Sequence, residues 1–221
     1  MRQFEILSWP ADKIAAREAE INALISQEAE RKKQLAYINS GVGKIFFNER
    51  IDTYQATPKS MAVVSAVKSF LESVRCGQFR SLVLCGKPGT GKTHLAAGLL
   101  YELGGVFRLS DVIREEYNAA KSFTAKYTQA GLIAWYGNRD FLVIDEVGRT
   151  ESAETAVVEK HCLYRIVNER YNNRLPTVMT CNFTQKEFAD YVGAACFDRL
   201  TESATFCECN WESFRAKKQG I

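Results

Sequence analysis

Between an apolar run and a helix-forming one, residues 82–100 read LVLCGKPGTGKTHLAAGLL. Gly86, Gly91, Lys92 and Thr93 satisfy the pattern G-x-x-x-x-G-K-[ST] in full. Each residue type has a chemical reason to be there. Glycines let backbone N–H groups converge on phosphate oxygens, and the helix that follows presents its positive N-terminal end. Lys92 is placed to reach β- and γ-phosphates, and the Thr93 hydroxyl to ligate Mg²⁺. A chance match in a chain of this composition is roughly one in a hundred, and the strand-before, helix-after context lowers that further. The stretch predicts a nucleoside triphosphate site, with Gly86, Lys87, Pro88, Gly89, Thr90, Gly91, Lys92, Thr93 and His94 around the phosphates. His94 itself reads as packed or solvent-facing. The similar GVGK at 41–44 lacks the upstream glycine and a preceding strand, and reads as a flexible linker.

Some fifty residues on, DFLVIDE ends an apolar run in two carboxylates. Asp145 sits where Mg²⁺ needs an outer-sphere carboxylate. Glu146 can polarise a water for in-line attack on the γ-phosphate. An acidic pair at a strand end is common by itself; the preceding phosphate loop gives it weight. Adjacent Asp-Glu favours hydrolysis over transfer, because a small-molecule kinase must keep water out and this chain shows no arginine-rich lid. A scaffold that binds nucleotide without hydrolysing it fits poorly with Lys92, Thr93, Asp145 and Glu146 all intact. Asn182 closes the next apolar run, PTVMTCN, where a polar tip could help orient the attacking water. Taken alone it is an ordinary turn residue.

These groups need a scaffold, and the chain alternates strand-like and helix-like segments from about residue 55 onward. RSLVLC, GGVFRLS, DFLVIDE, PTVMTCN and TFCEC read as five strands, with helices between, which predicts a mainly parallel sheet covered on both faces. Ser110 and Asp111 are candidate caps for DVIREEYNAAK, and Thr184 with Glu187 forms a capping box ahead of TQKEFADYV. Before the sheet, residues 11–38 contain no Gly or Pro and carry Ile14, Ile21, Leu24, Ile25, Leu35 and Ile38 on one helical stripe. Glu28 interrupts the stripe, which argues against a long coiled coil. Arg31, Lys32 and Lys33 read as the helix's solvated face. NSGVGK at 39–44 reads as a linker that lets the helix stand apart, dividing the chain into 1–44, helical, and 45–221, α/β.

The chain has 221 residues and a formal net charge of +3, too small to imply nucleic acid as a partner. Seven scattered cysteines suit reduced thiols and a cytoplasmic location. No run reaches membrane-spanning length, and the first residues lack a signal-peptide pattern. Cys207 and Cys209 share a face but have no second ligand pair, so zinc is not expected. His161, mid-helix, reads as packed or solvent-facing.

LVLCGKPGTGKTHLAAGL, FLVIDEVG, PTVMTCN, FDRL and NWESFRAKK, in that order, resemble the AAA+ ATPase module of the DnaC/IstB group. The likeness covers about residues 30–218 and looks nearer to DnaC-type helicase loaders. It implies an AAA+ P-loop core, ATP and Mg²⁺ as ligands, and roles that spacing alone does not reveal. Arg199 in FDRL matches an arginine finger inserted into a neighbouring subunit's ATP site, which would make hydrolysis depend on self-assembly. Arg215 in WESFR matches a second sensor for the γ-phosphate; without the resemblance it is one member of a basic tail with Lys217 and Lys218. Two departures stand out. Family members often carry a further arginine shortly before the DR pair, where this chain has GAACFDR, and the N-terminal region is short.

The resemblance further implies a hexameric replicative helicase and single-stranded DNA as partners, with ATP switching assembly and release. The neighbouring possibility is an IstB-like transposition helper acting with a transposase on duplex DNA. In the stretch 110–138, Lys121, Phe123, Lys126 and Tyr127 interleave cations and aromatic rings, the chemistry of sequence-tolerant single-strand binding. The same residues could equally be core aromatics beside surface lysines. The stripe of the N-terminal helix is the candidate for docking in a partner's groove.

Overall fold

The computed structural model describes residues 10–215. Helix α1 spans Ala11–Ile38, and a single 3-10 turn, Lys44–Phe46, follows it. The α/β body then runs α2 (Met61–Arg75), β1 (Ser81–Gly86), α3 (Lys92–Leu103), β2 (Val106–Leu109), α4 (Ser110–Ala119), α5 (Gln129–Gly137) and β3 (Leu142–Val147). It closes with α6 (Ala153–Asn172), β4 (Thr177–Cys181), α7 (Gln185–Val192), α8 (Ala194–Ser203) and β5 (Ala204–Cys209). The five strands form one sheet in the order β2-β3-β4-β1-β5, and every described pairing is parallel.

Parallel strands need helical crossovers, and these cover both faces of the sheet, so the central strands are apolar at nearly every position. β1 shows the alternation within that run: Leu82 and Leu84 join the core beneath α2 and α3, whereas Val83 and Cys85 join the core beneath α4 to α8. Both layers are fully buried. The strands' C-terminal ends therefore converge at one edge, the usual ligand-binding edge of an open α/β sheet.

The Thr184–Glu187 capping box forms as expected, and a second one at Ser152 and Thr155 starts α6. Ser110 and Asp111 do not cap α4. The N-cap position falls on Leu109, Ser110 lies inside the helix with its hydroxyl buried and unpartnered, and Asp111 bonds only the adjacent Val112 N–H.

The segment 39–44 departs from the flexible linker expected of it. Ser40 and Val42 are buried, Ser40 accepts the Phe107 N–H through its carbonyl at 2.9 Å, and a Cβ on Gly41 would overlap the Phe107 carbonyl. The last turns of α1 are built in with it. Tyr37 is 2% exposed, packs edge-on against Tyr101 and donates to the Phe46 carbonyl at 2.7 Å. Lys33 is not merely solvated: it pairs with Glu102 at 3.1 Å and caps the Tyr101 ring. Above this anchor, among the described residues, Ile14, Ile21, Leu24 and Ile25 are exposed.

Candidate functional site: a phosphate loop with two uncompensated charges

At the sheet's C-terminal edge, residues 87–91 turn from β1 into α3. Gly86, Gly89 and Gly91 all take positive φ, at 116°, 77° and 88°, which a side chain would oppose. At Gly91 a Cβ would also strike the Tyr54 ring. The loop is held from outside. Tyr54 O–H and Trp211 Nε1–H both donate to the Thr90 carbonyl, at 2.8 and 3.0 Å, and Phe214 N–H donates to the Gly89 carbonyl at 2.8 Å.

Lys92 is 6% exposed, and its Nζ donates to the carbonyls of Gly86 and Lys87, both at 2.7 Å, and to Asn182 Oδ1 at 3.0 Å. None of these acceptors carries a charge, and burial pushes the ammonium below its ordinary pKa. Asp145 is 2% exposed and receives hydroxyls from Thr93 at 3.1 and 3.2 Å and from Thr180 at 2.5 Å. Burial lifts its carboxyl to about 6, because hydroxyls do not replace the cation it lacks. Lys92 and Asp145 feel each other's charge but form no ion pair, and a buried ammonium facing an open cavity near a buried carboxylate bound only by hydroxyls fits triphosphate with Mg²⁺. Lys92 would hold the phosphates; Thr93 and Asp145 would hold the metal.

Glu146 lines the same cavity from a kink in β3. The register with β4 shifts between Ile144 and Val147, and Glu146 takes φ 58° where the shift occurs. Such bulges re-aim side chains beside active sites. Its carboxylate pairs with Arg149 Nη1 at 2.5 Å on the solvent side.

The cavity encloses about 460 Å³. The structure brings Pro88, Gly89, Gly91, Lys92, Thr93, His94, Glu146, Asn182 and Arg215 to its walls. Gly86, Lys87 and Thr90 contribute backbone around Lys92 and the loop, and the Lys87 side chain is exposed. His94 is packed into the wall, with Nδ1 2.6 Å from Glu49 and Nε2 2.8 Å from the Arg50 carbonyl. Arg199 is elsewhere. It sits on α8, donates to the Ala195 carbonyl at 2.7 Å and lies over the Tyr164 ring.

The far wall came from residues that motif reasoning passed over. Phe46, Glu49, Thr53, Tyr54 and Gln55 line it, together with Phe214. A signal existed: a non-periodic stretch with three aromatic residues in 46–54 has to pack on something. Arg149, in the turn after β3, and Glu159, on α6, also escaped notice, since nothing local distinguishes them from other charges.

The sheet order, the loop and the acidic strand tip define an AAA+ P-loop nucleotide-binding protein. The chain matches the family described as IstB-like ATP binding protein over residues 12–220, and it belongs to that family. It is 30% identical to the replicative helicase loader DnaC of Escherichia coli K12, across 98% of this chain and 88% of that protein. A putative insertion sequence ATP-binding protein of Sinorhizobium fredii is 27% identical across 95% of this chain and 70% of its own length. Among solved structures, the crystal structure of the DnaC helicase loader superposes with a TM-score of 0.66 at 19% identity, covering 76% of this chain and 99% of that one.

Proposed function

We propose that this protein is an ATP-hydrolysing helicase loader. The observation that carries the ATP site is Lys92, a buried ammonium with only neutral acceptors, held open to the cavity. The loader reading is supported by identity to DnaC that runs through α1 as well as the nucleotide-binding body.

Bound Mg²⁺·ATP supplies a polarised γ-phosphoryl group. Lys92 binds its phosphates, the loop's N–H groups orient them, and Thr93 with Asp145 fixes the metal. Glu146 accepts the proton of the attacking water once released from Arg149, and Asn182 helps orient that water. Arg215, on the cavity wall, reads the γ-phosphate from the C-terminal segment, and Arg199 does so from a neighbouring copy. Residues 1–44 form the partner-binding segment, though 1–9 lie outside the described residues. Single-stranded DNA meets the α4–α5 connection, where Phe123 is fully exposed beside Lys121 and Lys126 caps the Tyr127 ring. The setting is cytoplasmic; among the described residues no helix is long and apolar enough to cross a membrane.

The test is light scattering coupled to gel filtration, mixing the chain with the replicative helicase of its host in Mg²⁺·ATP. Co-elution with the hexamer is expected. The insertion-sequence relative favours a second reading, a transposition helper. Failure to bind the helicase together with retention on duplex DNA in the presence of a transposase would replace the first reading with this one.

A further inference from the structure

Glu159, on α6, is 1% exposed. A carboxylate is costly to bury and persists only with compensation. Its Oε1 accepts the Gly148 backbone N–H at 2.7 Å. Oε2 makes no hydrogen bond, although Arg114 Nη1 of α4 stands 3.5 Å away. What this buried charge grips is the backbone two residues beyond Glu146.

That backbone is held in a conformation it would not choose. Glu146 at φ 58° is a non-glycine residue in the left-handed region, and Gly148 follows at φ 84°. Glycine takes that region freely, but a non-glycine residue there is strained and survives where its surroundings over-determine it. Three contacts do so here. Thr180 Oγ1 accepts the Glu146 N–H at 3.1 Å, Glu159 accepts the Gly148 N–H, and the Phe183 ring fills the space where a Cβ on Gly148 would stand. The first and third come from β4 and the residues just after it. The second comes from α6 and leads through Arg114 to α4, the first helix of the proposed DNA-contacting pair.

We infer that Glu159 is a positioning residue for Glu146: by gripping the Gly148 amide it fixes the bulge that aims the Glu146 carboxylate, and Arg114 ties that grip to α4. This rests on the hydrolytic reading of the site. Misplacing a catalytic group by about 1 Å can cost on the order of a hundredfold in rate, so a loose bulge lowers turnover while leaving the phosphate loop able to bind.

The experiment compares Glu159→Met, which keeps volume and loses the acceptor, with Glu159→Gln, which keeps a carbonyl acceptor. kcat is measured at saturating ATP, and Kd by titration with a fluorescent ATP analogue. The Met variant is expected to lose at least about tenfold in kcat with Kd changed less than about threefold, and the Gln variant to recover most of the rate. Unchanged kcat in the Met variant, parallel loss of kcat and affinity, or a Gln variant as slow as Met would each overturn the inference. Amide exchange in the wild-type chain gives a readout that needs no variant. The Gly148 N–H is expected to be strongly protected, and exchange at the rate of an open amide would overturn the inference even if the Met variant fails to fold. A wild-type chain that binds ATP without turning it over would sink the hydrolytic reading, and the Gly148 amide alone would then decide whether Glu159 grips the bulge.

Discussion

Lys92 and Asp145 are buried groups of opposite charge that form no ion pair, and burial outweighs their mutual attraction at both, which makes the ligand-free fold pay for its readiness to bind. The Asp145 carboxyl titrates near 6 in the fold against an ordinary 3.8, so the folded chain holds that proton more tightly than the unfolded chain. The resulting stability is complete below pH about 4 and is lost as pH rises through about 6, a difference of about 3 kcal/mol. At pH 7.5 the ligand-free Asp145→Asn variant is therefore expected to be more stable than wild type, by at least about 1 kcal/mol in urea unfolding. At pH 3.5 the two should be close. The same variant should lose the Mg²⁺-dependent part of nucleotide affinity. A variant less stable than wild type at pH 7.5 would mean that the Thr93 and Thr180 hydroxyls already satisfy the carboxylate.

At the scale of elements, legibility in the sequence followed the range of the forces involved. The strands were readable as short runs that are mostly apolar, with β1 and β4 buried at every position, and the Thr184–Glu187 box because a cap is a contact over three residues. The phosphate loop was readable for the same reason, its chemistry lying within eight consecutive positions. Glu159 was not, because its meaning depends on Gly148 and Arg114 meeting it in space. The 39–44 turn was misread because glycine marks both a flexible link and a close approach; at Gly41 the Phe107 carbonyl and the Arg108 side chain show it is the second. The consequence for α1 is a helix clamped at its C-terminal end with its apolar stripe uncovered, among the described residues, along the rest. Replacing Ile21, Leu24 and Ile25 together by Gln keeps helix propensity and removes apolar surface that is 44%, 58% and 61% exposed. The expected outcome is unfolding free energy within about 0.5 kcal/mol of wild type, unchanged ATP affinity, and loss of co-elution with the helicase. A clearly destabilised triple variant would show that the stripe is covered by this chain's own residues.

For the whole molecule the question is why the candidate nucleotide site and the proposed finger, Arg199, lie apart. The cavity opens at the C-terminal ends of β1, β3 and β4, whereas Arg199 projects from α8, held by the Ala195 carbonyl and the Tyr164 ring, and takes no part in lining the cavity. With Arg199 as the proposed finger, a single chain would carry a triphosphate site without its finger, and a second copy placed head to tail would complete it, the heterologous geometry that builds rings or helical filaments. Hydrolysis would then report assembly, since a finger in trans is worth about 10³–10⁵ in kcat where it has been measured. Two defective chains should therefore repair each other. Lys92→Ala loses the nucleotide but keeps Arg199; Arg199→Ala keeps the nucleotide but offers no finger. Each alone should be nearly inactive at any concentration, and their mixture should hydrolyse ATP at a rate that rises with total protein. If the mixture stays silent under conditions where wild-type activity grows with concentration, Arg199 is not the group that crosses between copies, and the resemblance that assigned it that role fails at this position.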